Sequence, residues 1–218
     1  MRPLTVRRIA ATEVQAAQIP QLMEQAGVAW QDIACIDWPA DYPYAPSVHF
    51  RIAHTGSHIL IEYRVSEQTV AAVAPHDNGH VWEDSCCEFF FKPEGGDVYY
   101  NIETNCAGTV LVGCGPQREG RELAPATVLG AIDRWSSLGR KPFAECQAPA
   151  EWRMALSIPV GTAFRSGLTS LGGLRKTANF YKCGDKLRTP HFLSWRAITL
   201  PAPDFHRPDF FGPIEFEP

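Results

Sequence analysis

The run VWEDSCCEFFF (residues 81–91) mixes residues that favour a buried strand with residues that resist burial. Val81, Trp82, Cys86, Cys87 and the phenylalanines 89–91 suit a sheet interior, whereas the carboxylates of Glu83, Asp84 and Glu88 lose hydration there. Alternation offers a resolution, because successive side chains of a strand point to opposite faces. If the strand is regular through Trp82, then Ser85, Cys87, Phe89 and Phe91 form one face, which reads as core. Trp82, Asp84, Cys86, Glu88 and Phe90 form the other, and two carboxylates there imply an open or grooved surface.

The neighbouring segment repeats the pattern. In DVYYNIETN (97–105), Val98, Tyr100, Ile102 and Thr104 alternate with Tyr99, Asn101, Glu103 and Asn105. The short loop KPEGGD (92–97) predicts that 85–92 and 97–105 form an antiparallel hairpin with the polar set beside Glu88. Further out, VHFRIAHTGSHILIEYRV (48–65) reads as two strands turning at His54 to Ser57, with Ile59, Ile61, Tyr63 and Val65 on one face and Glu62 and Arg64 on the other. GTVLVG, EWRMALSI, LRKTANFYKC and FLSWRAITL follow as further strands. The 18 prolines and 17 glycines are spread throughout and punctuate these runs as in all-β sandwiches. Residues 12–26 are expected to form one helix, and 159–166 one turn with Pro159 at its first position. The expected fold is a single all-β domain, an antiparallel, jelly-roll-like β-sandwich with one or two short helices, on which residues 1–46 pack as an N-terminal extension.

Composition narrows the function. The net charge is −4 with no long basic run, which argues against a nucleic-acid partner. No apolar stretch is long enough to span a bilayer as a helix, so no membrane partner is expected. MRPLTVRRIAATEVQAA lacks the apolar core of an export signal, so the expected location is cytoplasmic, or secreted or periplasmic if a leader has been omitted. The seven cysteines (35, 86, 87, 106, 114, 146 and 183) show no Cys-x-x-Cys spacing and read as reduced structural thiols, a cross-strand disulfide being the alternative in an exported protein.

A face bearing an indole, carboxylates and amides has the chemistry to bind a sugar. Flat rings stack on the apolar C–H faces, and planar polar groups bond to hydroxyls. The structural alternative is that Glu88 forms a salt bridge and Trp82 covers a core edge. A glycoside hydrolase would need two carboxylates at a set separation, with Glu83, Asp84, Glu88, Glu103 and Glu122 as candidates. Ser85, Ser157 and Ser194 lack a Gly-x-Ser-x-Gly elbow. For haem, the candidate axial ligands are Met1, Met23, Met154 and scattered histidines, of which Met154 reads as core.

VWEDSCCEFFF and YYNIETNCAGTV, with ANFYKCGD and the closing SWRAITLPAPDFHRPDFFGPIEF, resemble the family 9 carbohydrate-binding modules, in particular their stand-alone bacterial relatives, from about residue 48 onward. The resemblance implies an antiparallel sandwich that holds a sugar, often the reducing end of a glucan or xylan chain, between two tryptophans. Trp82 falls on the first clamp position, and Glu88, six residues later, on the carboxylate that bonds sugar hydroxyls. At the second clamp position this chain has Phe205, with Trp195 ten residues earlier as another indole. Asn101 is nearest to the family's arginine and Lys182 nearest to its glutamine. The resemblance also implies a structural calcium, for which loop 75–84 offers Asp77, Asn78 and Asp84, with Glu83 beside them. His76 and His80, four apart, would align for a transition metal only on a helix, which Gly79 disfavours.

Overall fold

The structure, a computed structural model, describes residues 2–11, 14–93 and 96–218. Met1, the first two residues of the expected 12–26 helix and the tip of the KPEGGD loop lie outside the described residues. The strands are β1 (Leu4–Arg8), β2 (Gln31–Asp32), β3 (Cys35–Ile36), β4 (Ser47–His54), β5 (His58–Ser66), β6 (Thr69–Ala72), β7 (Cys86–Lys92) and β8 (Tyr99–Asn105). They continue as β9 (Val110–Gly115), β10 (Glu122–Leu123), β11 (Asp133–Ser136), β12 (Phe143–Gln147), β13 (Trp152–Pro159), β14 (Arg175–Cys183), β15 (Phe192–Ser194) and β16 (Gly212–Phe216). Two short α-helices, α1 (Ile19–Gln25) and α2 (Ala126–Ala131), complete the fold, and α2 has no counterpart in the sequence reading.

Eleven of the strands run in one path, β10-β9-β8-β7-β14-β16-β1-β4-β5-β13-β11, which folds into two facing layers; β2, β3 and β15 pair at its side, and β6 and β12 form a separate two-stranded sheet. Strand β1 makes the corner. Its first half pairs with β16 and its last two residues pair with β4, both in parallel, so the sandwich is mixed at this strand and antiparallel along the rest of the path. The segment expected to pack on the domain as an extension thus supplies a strand to both layers.

Between the layers lies the main core. Phe89 and Phe91 of β7, Tyr100 and Ile102 of β8 and Phe180 of β14 meet Phe50, Ile52, Ile61, Tyr63 and Met154 of the opposite layer. Phe50 stacks on Phe180 with ring centroids 3.7 Å apart. The period-two readings of 85–91, 97–105 and 59–65 therefore hold for their core faces. On the outer side of the second layer, α1 lays Ile19 and Met23 on Ala53, Leu60 and Ala155, so the expected helix is realised as this shorter element preceded by a 3₁₀ turn. Glu62, buried on that side, is held by Arg51 at 2.7 Å and by Arg153. A 3₁₀ turn over Val160–Thr162 follows Pro159 as its cap.

The opening run departs from the sequence reading at its start. Residues Val81–Glu83 form a 3₁₀ turn and the strand begins at Cys86, so Trp82 is not on the strand itself. Asp84 explains the break. Its carboxylate accepts N–H bonds from Val73 (2.8 Å) and Ala74 (3.0 Å) and another from the Asn105 side chain, tying the turn to β6 and β8. The expected strand FLSWRAITL is also shorter, ending at Ser194, where the chain turns so that the Ile198 N–H reaches Asp37. Each of the seven cysteines is a free thiol.

Strand β14 carries Lys182 on the core side. The ammonium, fully buried, lies 2.9 Å from Glu67 and 2.7 Å from His191 Nε2. Burial, the largest single effect, pulls its pKa down, but the charge and hydrogen bond of Glu67 together with the neighbouring thiols Cys87 and Cys183 leave it raised. His191, desolvated and beside this cation, is pushed down to about 2 and stays neutral. Lys182→Met strands the Glu67 carboxylate and should cost about 3–5 kcal/mol in equilibrium urea unfolding. Adding Glu67→Gln to it should recover much of that loss, and equal stability of the single and double variants would show that the ion pair is not what the core depends on.

Candidate functional site

The outer face of β7 and β8 is not open to solvent as the alternation suggested. The segment from Trp195 to Phe211 crosses it, and Cys86, Phe90, Tyr99, Tyr181, Phe205 and Phe211 form a second apolar cluster beneath that crossing, with Trp82 packed at its side. Where the cover stops short, a cavity of about 510 Å³ remains, in the size range of small-molecule sites.

Four of the sequence-predicted residues meet there: Trp82, Glu88, Asn101 and Phe205 all line it. Each ring is backed by another. Trp82 stacks on His80 at 4.6 Å, and Phe205 lies nearly parallel to Tyr181 at 4.1 Å. Such backing leaves each ring one face or edge for a ligand and fixes its rotamer. Tyr42 and Phe192, in edge contact at 4.7 Å, extend the apolar wall.

The polar floor comes from the hairpin register. Glu88 of β7 pairs directly with Glu103 of β8, and Phe90 with Asn101, so Glu88, Asn101 and Glu103 share one patch. Glu88 is 2% exposed, and among the described residues the one hydrogen bond to its carboxylate comes from the Cys183 thiol at 3.0 Å. Burial, and then the charge of Glu103, raise its pKa well above the usual carboxylate range. Glu103 is pushed up to about 7, again mainly by burial, although the Asn101 amide donates to it at 2.7 Å. Among the described residues neither carboxylate has an ion-pair partner.

Arg121, next to β10, was missed by the sequence reading. Its Nε donates to Asn101 Oδ1 at 2.8 Å, and its guanidinium lies 4.1 Å above the Tyr99 ring while donating to the Tyr99 carbonyl. The arginine chemistry that the resemblance places on the second hairpin strand thus arrives from twenty residues further on and fixes the amide of Asn101. Gly113 of β9 makes room for this. A Cβ there would stand 2.5 Å from Asn101 Oδ1, so only glycine fits beneath the Asn101–Arg121 contact. A glycine inside the strand run GTVLVG was the available signal for such a close approach. Asp185, Arg118 and His206 also line the cavity; His206, half-buried and facing Arg121 and Arg118, is pushed down to about 3 and bonds to the Tyr99 hydroxyl at 2.9 Å. They come from loops, where no periodicity marks them.

Two predicted site residues lie elsewhere. Lys182 has the parity of Phe180 and faces the main core, and the cavity position on β14 belongs to Cys183. Trp195 is packed between the layers against Phe50 (5.9 Å) and Phe180 (5.8 Å), so it cannot replace Phe205 at the cavity wall. The proposed calcium donors do not converge on an ion either. Asp77 accepts from Arg134 at 2.7 Å and from the Val110 N–H, the Asn78 amide bonds to Ala124 and Val112, and Asp84 is used as described above. With a guanidinium already on Asp77 and N–H donors on Asp84, these side chains do not fit a calcium site.

Comparison with known proteins agrees with this geometry. The profile of carbohydrate-binding family 9 matches residues 17–216. A solved structure from Bacteroides uniformis, a candidate carbohydrate-binding protein, is 48% identical, with 99% of each chain covered and a TM-score of 0.96. Two structures of a family 9 module from Caldicellulosiruptor kristjanssonii, one in complex with cellotriose and one with glucose, are each 10% identical and share the fold. Their TM-scores are 0.62 and 0.56, covering 99% of this chain and 94% and 96% of theirs. Comparison with curated proteins found no match. A sandwich whose N-terminal strand joins both layers, with one aromatic-walled cavity over the hairpin β7–β8 and a family profile over nearly its whole length, leads to one assignment: the chain belongs to carbohydrate-binding family 9.

Proposed function

We propose that the cavity binds a saccharide of glucan or xylan type noncatalytically, with a sugar ring between Trp82 and Phe205 and its hydroxyls on Glu88, Asn101 and Glu103. The observation that carries this reading is the combination of two backed aromatic rings with a buried carboxylate that has no N–H donor among the described residues. Sugar hydroxyls are the donors such a carboxylate lacks, and the rings match the C–H faces of a pyranose. Family membership and the cellotriose and glucose complexes of the Caldicellulosiruptor module support the same ligand class. Phe205 offers less stacking area than an indole and no N–H, so the reading places most of the stacking on Trp82.

The placement of the carboxylates supports binding without hydrolysis. Glu88 and Glu103 are cross-strand neighbours on one floor, whereas glycoside hydrolysis needs its two carboxyl groups flanking the scissile bond. Incubation with cello- and xylo-oligosaccharides should therefore release no reducing sugar while calorimetry registers binding.

Trp82→Ala should weaken saccharide binding about tenfold or more, equivalent to about 1.4 kcal/mol, with the melting temperature nearly unchanged. Equal affinities of variant and wild type across a panel of oligosaccharides would sink the proposed clamp. Glu88→Gln keeps the shape but replaces an accepting carboxyl oxygen with an amide NH2, with an expected loss of about 0.5–1.5 kcal/mol in calorimetric affinity. Binding should also depend on pH. Hydroxyl donors favour the ionised form of Glu103, so the ligand lowers a pKa that stands at about 7 in the free protein. Affinity should then rise as pH climbs towards about 7, and Glu103→Gln should flatten that rise. A profile that falls over that range would contradict the assigned hydrogen bonds.

A further inference from the structure

Beneath the saccharide cavity, three side chains crowd together that the binding reading does not need as a group. Cys86 and Glu88 are two apart on β7 and so share a face, and Cys183 is the direct cross-strand partner of Cys86 on β14. The two sulfurs and a Glu88 oxygen all lie within 4.8 Å of one another, and all three residues are buried. Cys183 and Glu88 border the cavity, whereas Cys86 lies beneath it.

The surroundings favour a cation at this point. Glu103 stands opposite Glu88, and Asp185 follows Cys183 by two residues. Of the nearby basic groups, Lys182 pairs with Glu67 on the core side, Arg121 is taken up by Asn101 and backbone carbonyls, and Arg118, on the cavity rim, is largely exposed and lies 4.0 Å from Asp204. Two sulfurs and one carboxylate oxygen form a donor set for a borderline or soft metal rather than for calcium or magnesium, which take oxygen ligands.

We infer that Cys86, Cys183 and Glu88 form a binding site for one thiophilic divalent cation of the zinc class, with the fourth coordination position open towards the cavity. Binding replaces two S–H bonds with two metal–sulfur bonds and releases two protons to solvent, and the metal keeps its oxidation state. Glu88, whose carboxyl burial holds above the usual range, adds its own proton to those released when it ligates the ion as a carboxylate. The site shares Glu88 with the saccharide reading but does not rest on it, because the ion is tested without sugar, and its residues are distinct from those of the Asp77 loop.

The test is a titration of the intact, reduced protein with Co2+ under anaerobic conditions, in the absence of saccharide. A thiolate-to-cobalt charge-transfer absorption should grow to an endpoint of one equivalent, disappear on addition of Zn2+, and persist in a Cys35→Ser/Cys146→Ser variant that removes the more accessible thiols. Cys86→Ser should abolish the stoichiometric absorption while keeping the circular dichroism of the wild type. Should that variant misfold, the wild type still decides: Zn2+ must raise its melting temperature, and Glu88→Gln must weaken the Co2+ endpoint. No charge-transfer absorption in the wild type, or an absorption lost only with Cys35 and Cys146, overturns the site.

Discussion

The antiparallel register between β7 and β14 governs both the core and the cavity. Pairing Phe89 with Phe180 and Glu88 with Tyr181 fixes which side chains enter the space between the layers and which lie under the C-terminal crossing. A shift by one residue would bring Glu88 between Phe50 and Phe180 and turn phenylalanines into the cavity, so burial of carboxylate charge opposes every alternative register. The same pairing places the Cys183 thiol on Glu88 and sends Lys182 the other way to Glu67. One set of backbone hydrogen bonds thus separates an apolar interior, a buried ion pair and a polar pocket across a single sheet.

Such a strand was legible because it is strongly periodic. The inner residues of 85–91, 97–105 and 59–65, and the contributions of Trp82, Glu88 and Asn101 to one cavity, follow from alternation and the resemblance taken together. What was not legible depends on tertiary cover. The outer face of the hairpin looked open because nothing local in β7 or β8 announces that residues 195–211 will cross it. Lys182 was misplaced because aligning a position between distant relatives tolerates a one-residue slip, whereas a strand does not. Trp195 looked like a platform for its size alone, yet large aromatics pack more often than they bind, and its neighbours are Phe50 and Phe180. Arg121 lies in the loop immediately before the two-residue strand β10, where no pattern singles it out.

The cavity also illustrates how a polar site is kept rigid inside an apolar fold. Asn101 is held from two directions, donating to Glu103 and accepting from Arg121, so the network leaves its amide a single orientation. Arg121 is held in turn by the face of Tyr99 and by carbonyls of Tyr99 and Gly115. The walls follow the same logic with dispersion in place of hydrogen bonds, His80 behind Trp82 and Tyr181 behind Phe205. Little ordering is left for a ligand to impose, which keeps down the entropic cost of association.

Strand β1 has a bearing on how the molecule comes together. Leu4 is registered against Ile214, and the Arg8 N–H bonds to the Glu217 carboxylate across 209 positions of chain. Contacts of that span carry a large loop-closure entropy and form late, so the corner between the layers closes only after both layers exist. During synthesis, the N-terminal strand must wait beside β4 with its other edge unpaired until the final strand emerges from the ribosome. Until then the nascent chain presents an exposed strand edge, the feature through which incompletely folded β-proteins associate with one another.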